Sequence, residues 1–290
     1  MEFGKINAGA LEMADYFTAP RSNASGNLIF GQMKLAIVIQ ARVGSTRLPE
    51  KMLRPFLYGR TIPELIIDRL LTAFDPSQVI LATSVSKADD PLACMAEAKG
   101  VQVVRGDEND VLSRFVLASE RYGLTHVVRI CADNPFIRLD GIAELIRVAS
   151  EHNWEDDYLT FCYNDKLPVM RGHVGMYAEL IRSSALKNQF DSNQDAFFKE
   201  HVTNGIYAQP DKYALRYIEM PEALAHDKGL RLTVDTEGDF LLLSELAQSL
   251  RLADPNQTYA DPSIDEVLAA VNAHPTARAS MLETIQMNVK

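Results

Sequence analysis

From Lys34 onward the chain alternates short aliphatic runs with amphipathic stretches bounded by cap and turn residues. This rhythm restricts the fold more than any other feature. KLAIVIQ (34–40), QVILAT (78–83), VQVVR (101–105) and THVVRIC (125–131) read as strands. The first is aliphatic at successive positions, as expected of a strand covered on both faces. Between the strands lie helical patterns. PELIIDRLLTAF (63–74) sets Leu65, Ile66, Leu70, Leu71 and Phe74 near one face, with Pro63 suited to the first turn. DDPLACMAEAKG (89–100) supplies an Asp cap, Pro at N1 and Gly at C′. DVLSRFVLASERYG (110–123) closes on glycine, and LDGIAELIRVASEH (139–152) follows the fourth strand. Repeated βα units with short connections build a parallel sheet with helices on both faces, through right-handed crossovers.

After residue 153 the rhythm changes. Strands are expected at 157–163, 173–179, 213–220 and 230–234, and helices at 178–187, 237–250 and 263–273. No linker rich in Pro, Gly or Ser separates the halves. The expectation is therefore one α/β domain over 33–250 with a mixed, mostly parallel sheet, and a helical tail over 251–290 packed on it. Residues 1–32 read as an extension or leader outside that core. They lack a basic segment followed by an apolar one, so they make a poor signal peptide.

Composition narrows the function. No apolar run is long enough to span a bilayer. Cys94, Cys131 and Cys162 are far apart and odd in number, which disfavours a disulfide framework or a structural zinc site and fits a reducing cytoplasm. A net charge of −10 argues against broad nucleic-acid binding. It also makes any local basic cluster stand out.

Such a cluster follows the first strand, in VIQARVGSTRLPEKML (38–53). In open α/β sheets, ligands sit beyond the carboxyl ends of the strands. Those ends carry Arg42, Gly44, Ser45 and Arg47 after the first strand, Asp133 after the fourth and Asp235 after the run at 230–234. Arg42, Arg47 and Lys51 suit phosphate oxygens. Gly44 lets backbone N–H groups approach an anion. Asp133 and Asp235 are hard oxygen ligands of the kind Mg²⁺ takes. One rim would then hold a metal-bound polyphosphate. Singly, each residue has an ordinary explanation. The loop could be solvated surface, Asp133 a turn former before Asn-Pro, and Asp235 a cap for the helix beginning near Thr236. Their co-location at strand ends weakens the joint version of that explanation. Walker A, GxGxxG, HExxH and GxSxG motifs are absent. RGHVGMY (171–177) could line an acceptor pocket, with Arg171 facing an acid, or form a core or dimer strand.

IQARVGSTRLPEKML resembles the opening motif of the cytidylyltransferases that activate acidic sugars, the CMP-Kdo and CMP-sialic acid synthetases. It is most similar to the spore coat polysaccharide biosynthesis protein F-like branch. ILATSVSKADDPLACMAEAKGVQVVRGDENDVLSRF, VVRICADNPFI, KEHVTNGIY and RLTVDTEGDF continue the resemblance over about residues 34–250. It implies a Rossmann-like, glycosyltransferase-A-like nucleotidyltransferase fold. By motif, Arg42, Arg47 and Lys51 would act on the phosphates. Ala41, Gly44, Ser45, Thr83 and Arg114 would contact the nucleotide, and Asp133 and Asp235 would bind Mg²⁺. Arg171, His173 and Tyr177 would face the acceptor. Ala132 replaces the family's usual Gly, and Asn134 its usual Cys or Ser. RGHVGMY departs from the branch's GFSVEVF and looks more like the HxGIY of CMP-Kdo synthetases.

The reaction implied is transfer of CMP from CTP to an acidic sugar-like acceptor with release of pyrophosphate, in surface polysaccharide or glycoconjugate biosynthesis. The resemblance also favours a homodimer. The alternatives are a glycosyltransferase using a finished nucleotide-sugar, a cytidylyltransferase for a phosphate or phosphonate, and a non-catalytic protein retaining the fold.

Overall fold

Alternate residues of β1 (Leu35–Gln40) enter different apolar cores: Leu35, Ile37 and Ile39 one, Ala36 and Val38 the other. A strand sends successive side chains to opposite faces, so an uninterrupted aliphatic run needs cover on both sides. The computed structural model describes Arg21–Ser22, Leu28–Ile29 and residues 34–287, except 46, 193–194 and 255–258. The extension expected over 1–32 thus lies almost wholly outside the described residues. Its described part is an antiparallel pairing of Arg21–Ser22 with Leu28–Ile29.

The remaining strands are β2 (Val79–Ser84), β3 (Gln102–Gly106), β4 (His126–Cys131), β5 (Tyr158–Cys162), β6 (Glu179–Arg182) and β7 (Leu215–Glu219). They form a seven-stranded sheet in the order β3-β2-β1-β4-β6-β5-β7. β1 to β4 are parallel, β6 is antiparallel to both β4 and β5, and β7 is parallel to β5. This is the expected α/β domain with a mixed, mostly parallel sheet.

Helices α1 (Ile62–Leu70), α2 (Asp90–Ala98) and α4 (Leu139–Glu151) put Leu65, Leu92 and Leu145 into the first core. α3 (Val111–Tyr122) and α5 (Ser183–Ser192) put Phe115 and Leu186 into the second. α6 (Ala196–Glu200), α7 (Asn204–Tyr207) and α8 (Glu222–Ala225) are short. α9 (Glu237–Ser249), α10 (Ile264–Ala273) and α11 (Ala277–Met287) bring Phe240, Val271 and Met281 into the first core. α1, α9 and α10 start in capping boxes, at Thr61/Glu64, Thr236/Asp239 and Ser263/Glu266, each contributing about 1 kcal/mol. No helix among the described residues is long and apolar enough to cross a membrane.

Three sequence expectations change. The strand expected at 173–179 is Glu179–Arg182, and α5 starts at Ser183, after the ladder to β4 and β5 is complete. Gly175, at φ +61°, interrupts the extended run before it. Its Cα also packs so tightly that a Cβ would stand 2.6 Å from Leu232 O. Residues 230–234 form no strand; Leu232 N–H donates to His173 O (3.0 Å) and Val234 N–H to Asp133 O (2.8 Å). Asp89, expected as a cap, makes no capping bond. Its buried carboxylate instead accepts from the amides of Val43 (2.7 Å) and Ser84 (3.0 Å).

The chain leaves β1 for β2 on one side and returns to β4 on the other. A crevice therefore opens at the carboxyl ends of β1 and β4, where such sheets bind ligands.

Candidate active site

The crevice has two lobes. One is lined by Ala41, Arg42, Gly44, Ser45, Lys51 and Met52, the other by Arg129, Asn134, His173, Tyr177, His201 and Asn204. Gln40, Arg47, Cys131, Asp133, Glu200 and Asp235 line both.

The first lobe is shaped by the loop after β1. Ala41 N–H continues the ladder to Ala82 O (3.2 Å). Asp89 then holds the loop at Val43, tying it to the end of β2. Ser45 N–H donates to Val43 O (2.7 Å), and Ser45 Oγ accepts from Leu48 N–H (3.3 Å). Acidic groups approach this loop. Arg42 donates to Glu108 O (3.1 Å) and approaches Glu200 (3.5 Å), while a Cβ at Gly44 would stand 2.6 Å from Glu108 Oε1.

Asp133 and Asp235 meet at Lys51. Its ammonium, 8% exposed, donates to Val234 O (2.6 Å) and lies 3.6 Å from each carboxylate. Asp235 also accepts from Arg47 (2.8 Å) and Arg231 (2.9 Å). Burial alone would raise its pKa, but Lys51, Arg231 and Arg47 outweigh it and hold the carboxylate below its ordinary range. Asp235 does not cap α9. That cap is Thr236, whose side chain accepts from Asp239 N–H. The carboxylate is thereby left to the crevice.

Arg231 is wholly buried and ties the lobes together. It donates to Asp239 through Nε and Nη2 (both 3.0 Å), and its Nη1 lies 2.8 Å from His173 Nδ1. A guanidinium only donates. Nδ1 of His173 therefore carries the lone pair, and the ring's proton sits on Nε2.

Tyr177 is buried and stacks on Phe161 (4.3 Å between centroids), walling the second lobe. Arg171 is exposed and lies outside the lining of either lobe. Thr83 and Arg114 are fully buried behind the crevice, outside its lining. The Arg114 guanidinium makes no hydrogen bond among the described residues; burial and the nearby Arg42 charge lower its pKa to about 10. Burial pushes the Cys131 thiol up to about 12, which disfavours its thiolate.

Sequence reasoning passed over Gln40, Arg129, Glu200, Asn204 and Arg231, and favoured a structural role for His201. One signal was available: Arg129 is a charge inside an aliphatic strand, THVVRIC. It pairs with the fully buried Glu179, which also accepts from the Tyr158 (2.6 Å) and Thr203 (2.7 Å) hydroxyls.

Among the described residues no group of three or more His, Cys, Asp or Glu side chains could hold a metal. The Asp133–Asp235 pair still fits Mg²⁺, which is usually held by one or two carboxylates, with water and substrate phosphates completing its shell.

The sequence profile of the cytidylyltransferases matches residues 36–259. The chain belongs to the cytidylyltransferase family. This cytidylyltransferase is 34% identical to an uncharacterized protein of Methanocaldococcus jannaschii, over 76% of this chain and 86% of that one. It is 31% identical to the spore coat polysaccharide biosynthesis protein SpsF of Bacillus subtilis, over 84% of this chain and 96% of that one. Among solved structures, a cytidylyltransferase from Leptospira borgpetersenii superposes with a TM-score of 0.68 at 25% identity, covering 89% of this chain and 95% of that one.

Proposed function

We propose that this cytidylyltransferase moves CMP from CTP to an acidic sugar or related acid, releasing pyrophosphate, in surface polysaccharide or glycoconjugate synthesis. The observation that carries the reading is the sharing of Lys51 by Asp133 and Asp235, beside a loop presenting Arg42 and Arg47. Cations beside carboxylates at a sheet's switch point suit a metal-bound triphosphate. Family membership and the name of the Bacillus subtilis relative support the same reaction and setting.

An acceptor oxygen attacks the α-phosphorus, and the bond from that phosphorus to the pyrophosphate oxygen breaks. Such chemistry needs positioning and charge neutralisation more than a protein nucleophile. Arg42, Arg47 and Lys51 neutralise the departing pyrophosphate. Asp133 and Asp235 would hold Mg²⁺, which when bound adds positive charge at the phosphates. The second lobe receives the acceptor against Tyr177 and His173, with Arg171 taking no part. The reading includes a cytoplasmic homodimer.

A pyrophosphate-release screen of each nucleoside triphosphate against sugar acids, phosphate esters and phosphonates tests this. CTP with a sugar acid should give release that depends on both. Release with a phosphonate alone would reassign the acceptor. No release with any pair, alongside transfer from a finished nucleotide-sugar, would overturn the reading.

A further inference from the structure

Gln40, the last residue of β1, lines both lobes of the crevice. Its side-chain oxygen accepts twice from Arg129, from Nε (3.2 Å) and Nη2 (3.1 Å). A guanidinium has no acceptor to offer, so the amide has one permitted orientation: oxygen against Arg129, NH₂ away from it. Arg129 is itself held by Glu179, whose carboxylate is anchored by Tyr158 and Thr203. The Gln40 amide nitrogen makes no hydrogen bond among the described residues, yet it is not sealed from solvent, and the residue lines the crevice while only partly buried. The NH₂ group therefore opens on the crevice.

The other groups shared by the two lobes include three carboxylates, Asp133, Asp235 and Glu200. An NH₂ group cannot ligate a cation, and the oxygen of this amide is already engaged. What Gln40 offers at the junction is an uncharged pair of N–H donors, which suits an oxyanion. In the proposed transfer, the group lying where nucleotide and acceptor meet is the α-phosphoryl group.

We propose that Gln40 is a catalytic residue: its amide NH₂ donates to a non-bridging oxygen of the α-phosphoryl group, and the Glu179–Arg129 pair positions it. The proposal rests on the cytidylyl-transfer reading. A donor fixed before the reaction stabilises charge developing on that oxygen without reorganising, which is the logic of an oxyanion hole. It assigns the buried pair beneath the sheet's central ends a use beyond packing.

Gln40→Glu keeps an acceptor for Arg129 and removes the donor, while Gln40→Met removes both without adding charge. Both should lower kcat about 100-fold, with KM for CTP within about threefold of the parent value and Gln40→Glu melting like the parent. If Gln40→Met keeps kcat within about threefold of the parent, the proposal is overturned. A second measurement does not need turnover. The Gln40 side-chain amide signals, assigned by their loss in Gln40→Glu, should shift in ¹⁵N NMR when CTP and Mg²⁺ bind. CTP binding by calorimetry with those signals unmoved overturns the role of Gln40 while leaving the transfer reading intact. A parent protein that neither binds CTP nor releases pyrophosphate overturns both.

Discussion

Asp133 Oδ2 and Asp235 Oδ1 lie at the same distance, 3.6 Å, from the Lys51 ammonium. Two carboxylates from loops far apart in the chain thus share one cation, and Asp235 is further held by Arg47 and Arg231. Like charges this close need a cation between them. The arrangement suits a site that works with a metal and a triphosphate.

Asp235→Asn should lower pyrophosphate release at least about 100-fold, the scale of losing charge stabilisation at the reacting phosphates, because it removes a carboxylate proposed to hold Mg²⁺. Folding should survive, because Arg231 keeps both bonds to Asp239. Turnover and calorimetric melting of the purified variant check both halves. Near-parental turnover at saturating Mg²⁺ would count decisively against the metal role.

Arg47→Ala should weaken CTP binding by roughly tenfold, as expected when a charge-assisted phosphate contact is removed. The side chain is 47% exposed, so the melting temperature should hardly move. Titration calorimetry with CTP is the measurement, and parental affinity would remove Arg47 from the site.

His173 should show an unprotonated Nδ1 and a protonated Nε2 in ¹⁵N NMR, because Arg231 can only donate to the former. In that form the ring meets an acceptor as a hydrogen-bond donor. A spectrum showing the proton on Nδ1 would break the Arg231 link between the lobes.

His126 gives the fold a pH dependence. Burial, with help from Arg182, lowers its pKa to about 4, against an unfolded value near 6.5. Between those values the unfolded chain binds more protons, so stability falls as pH drops through that window and is flat, for this group, outside it. The loss is on the order of 3 kcal/mol. His126→Phe, which keeps an aromatic ring against Trp154, should lose less stability than the parent between pH 7.5 and about 4.5 in urea titrations. Identical pH profiles would show that His126 carries none of the effect.

The parts of the site legible in the sequence are those written in local pattern. Ala41, Arg42, Gly44, Ser45, Arg47 and Lys51 follow a strand that its aliphatic run announces, and they line the crevice. Asp133 and Asp235 were legible only as two candidates, each with an ordinary alternative. For Asp235 the alternative fails because the neighbouring Thr236 supplies the helix cap. Asp89 failed the opposite way: a cap signal that holds the loop after β1 instead. Arg171 sits in RGHVGMY but is exposed and lies outside the lining of the crevice.

By itself the sequence determined the alternation of strands and helices up to α4 and the composition of the loop after β1. These depend on backbone period and on bonds made within a few residues, so local pattern encodes them. Tertiary structure alone decided that β6 runs antiparallel, that residues 230–234 pair with no strand, and that Arg129 locks Gln40 while Arg231 locks His173. Each of those depends on partners remote in the chain. Spacing along a sequence says nothing of which buried charge will meet which once the sheet has closed.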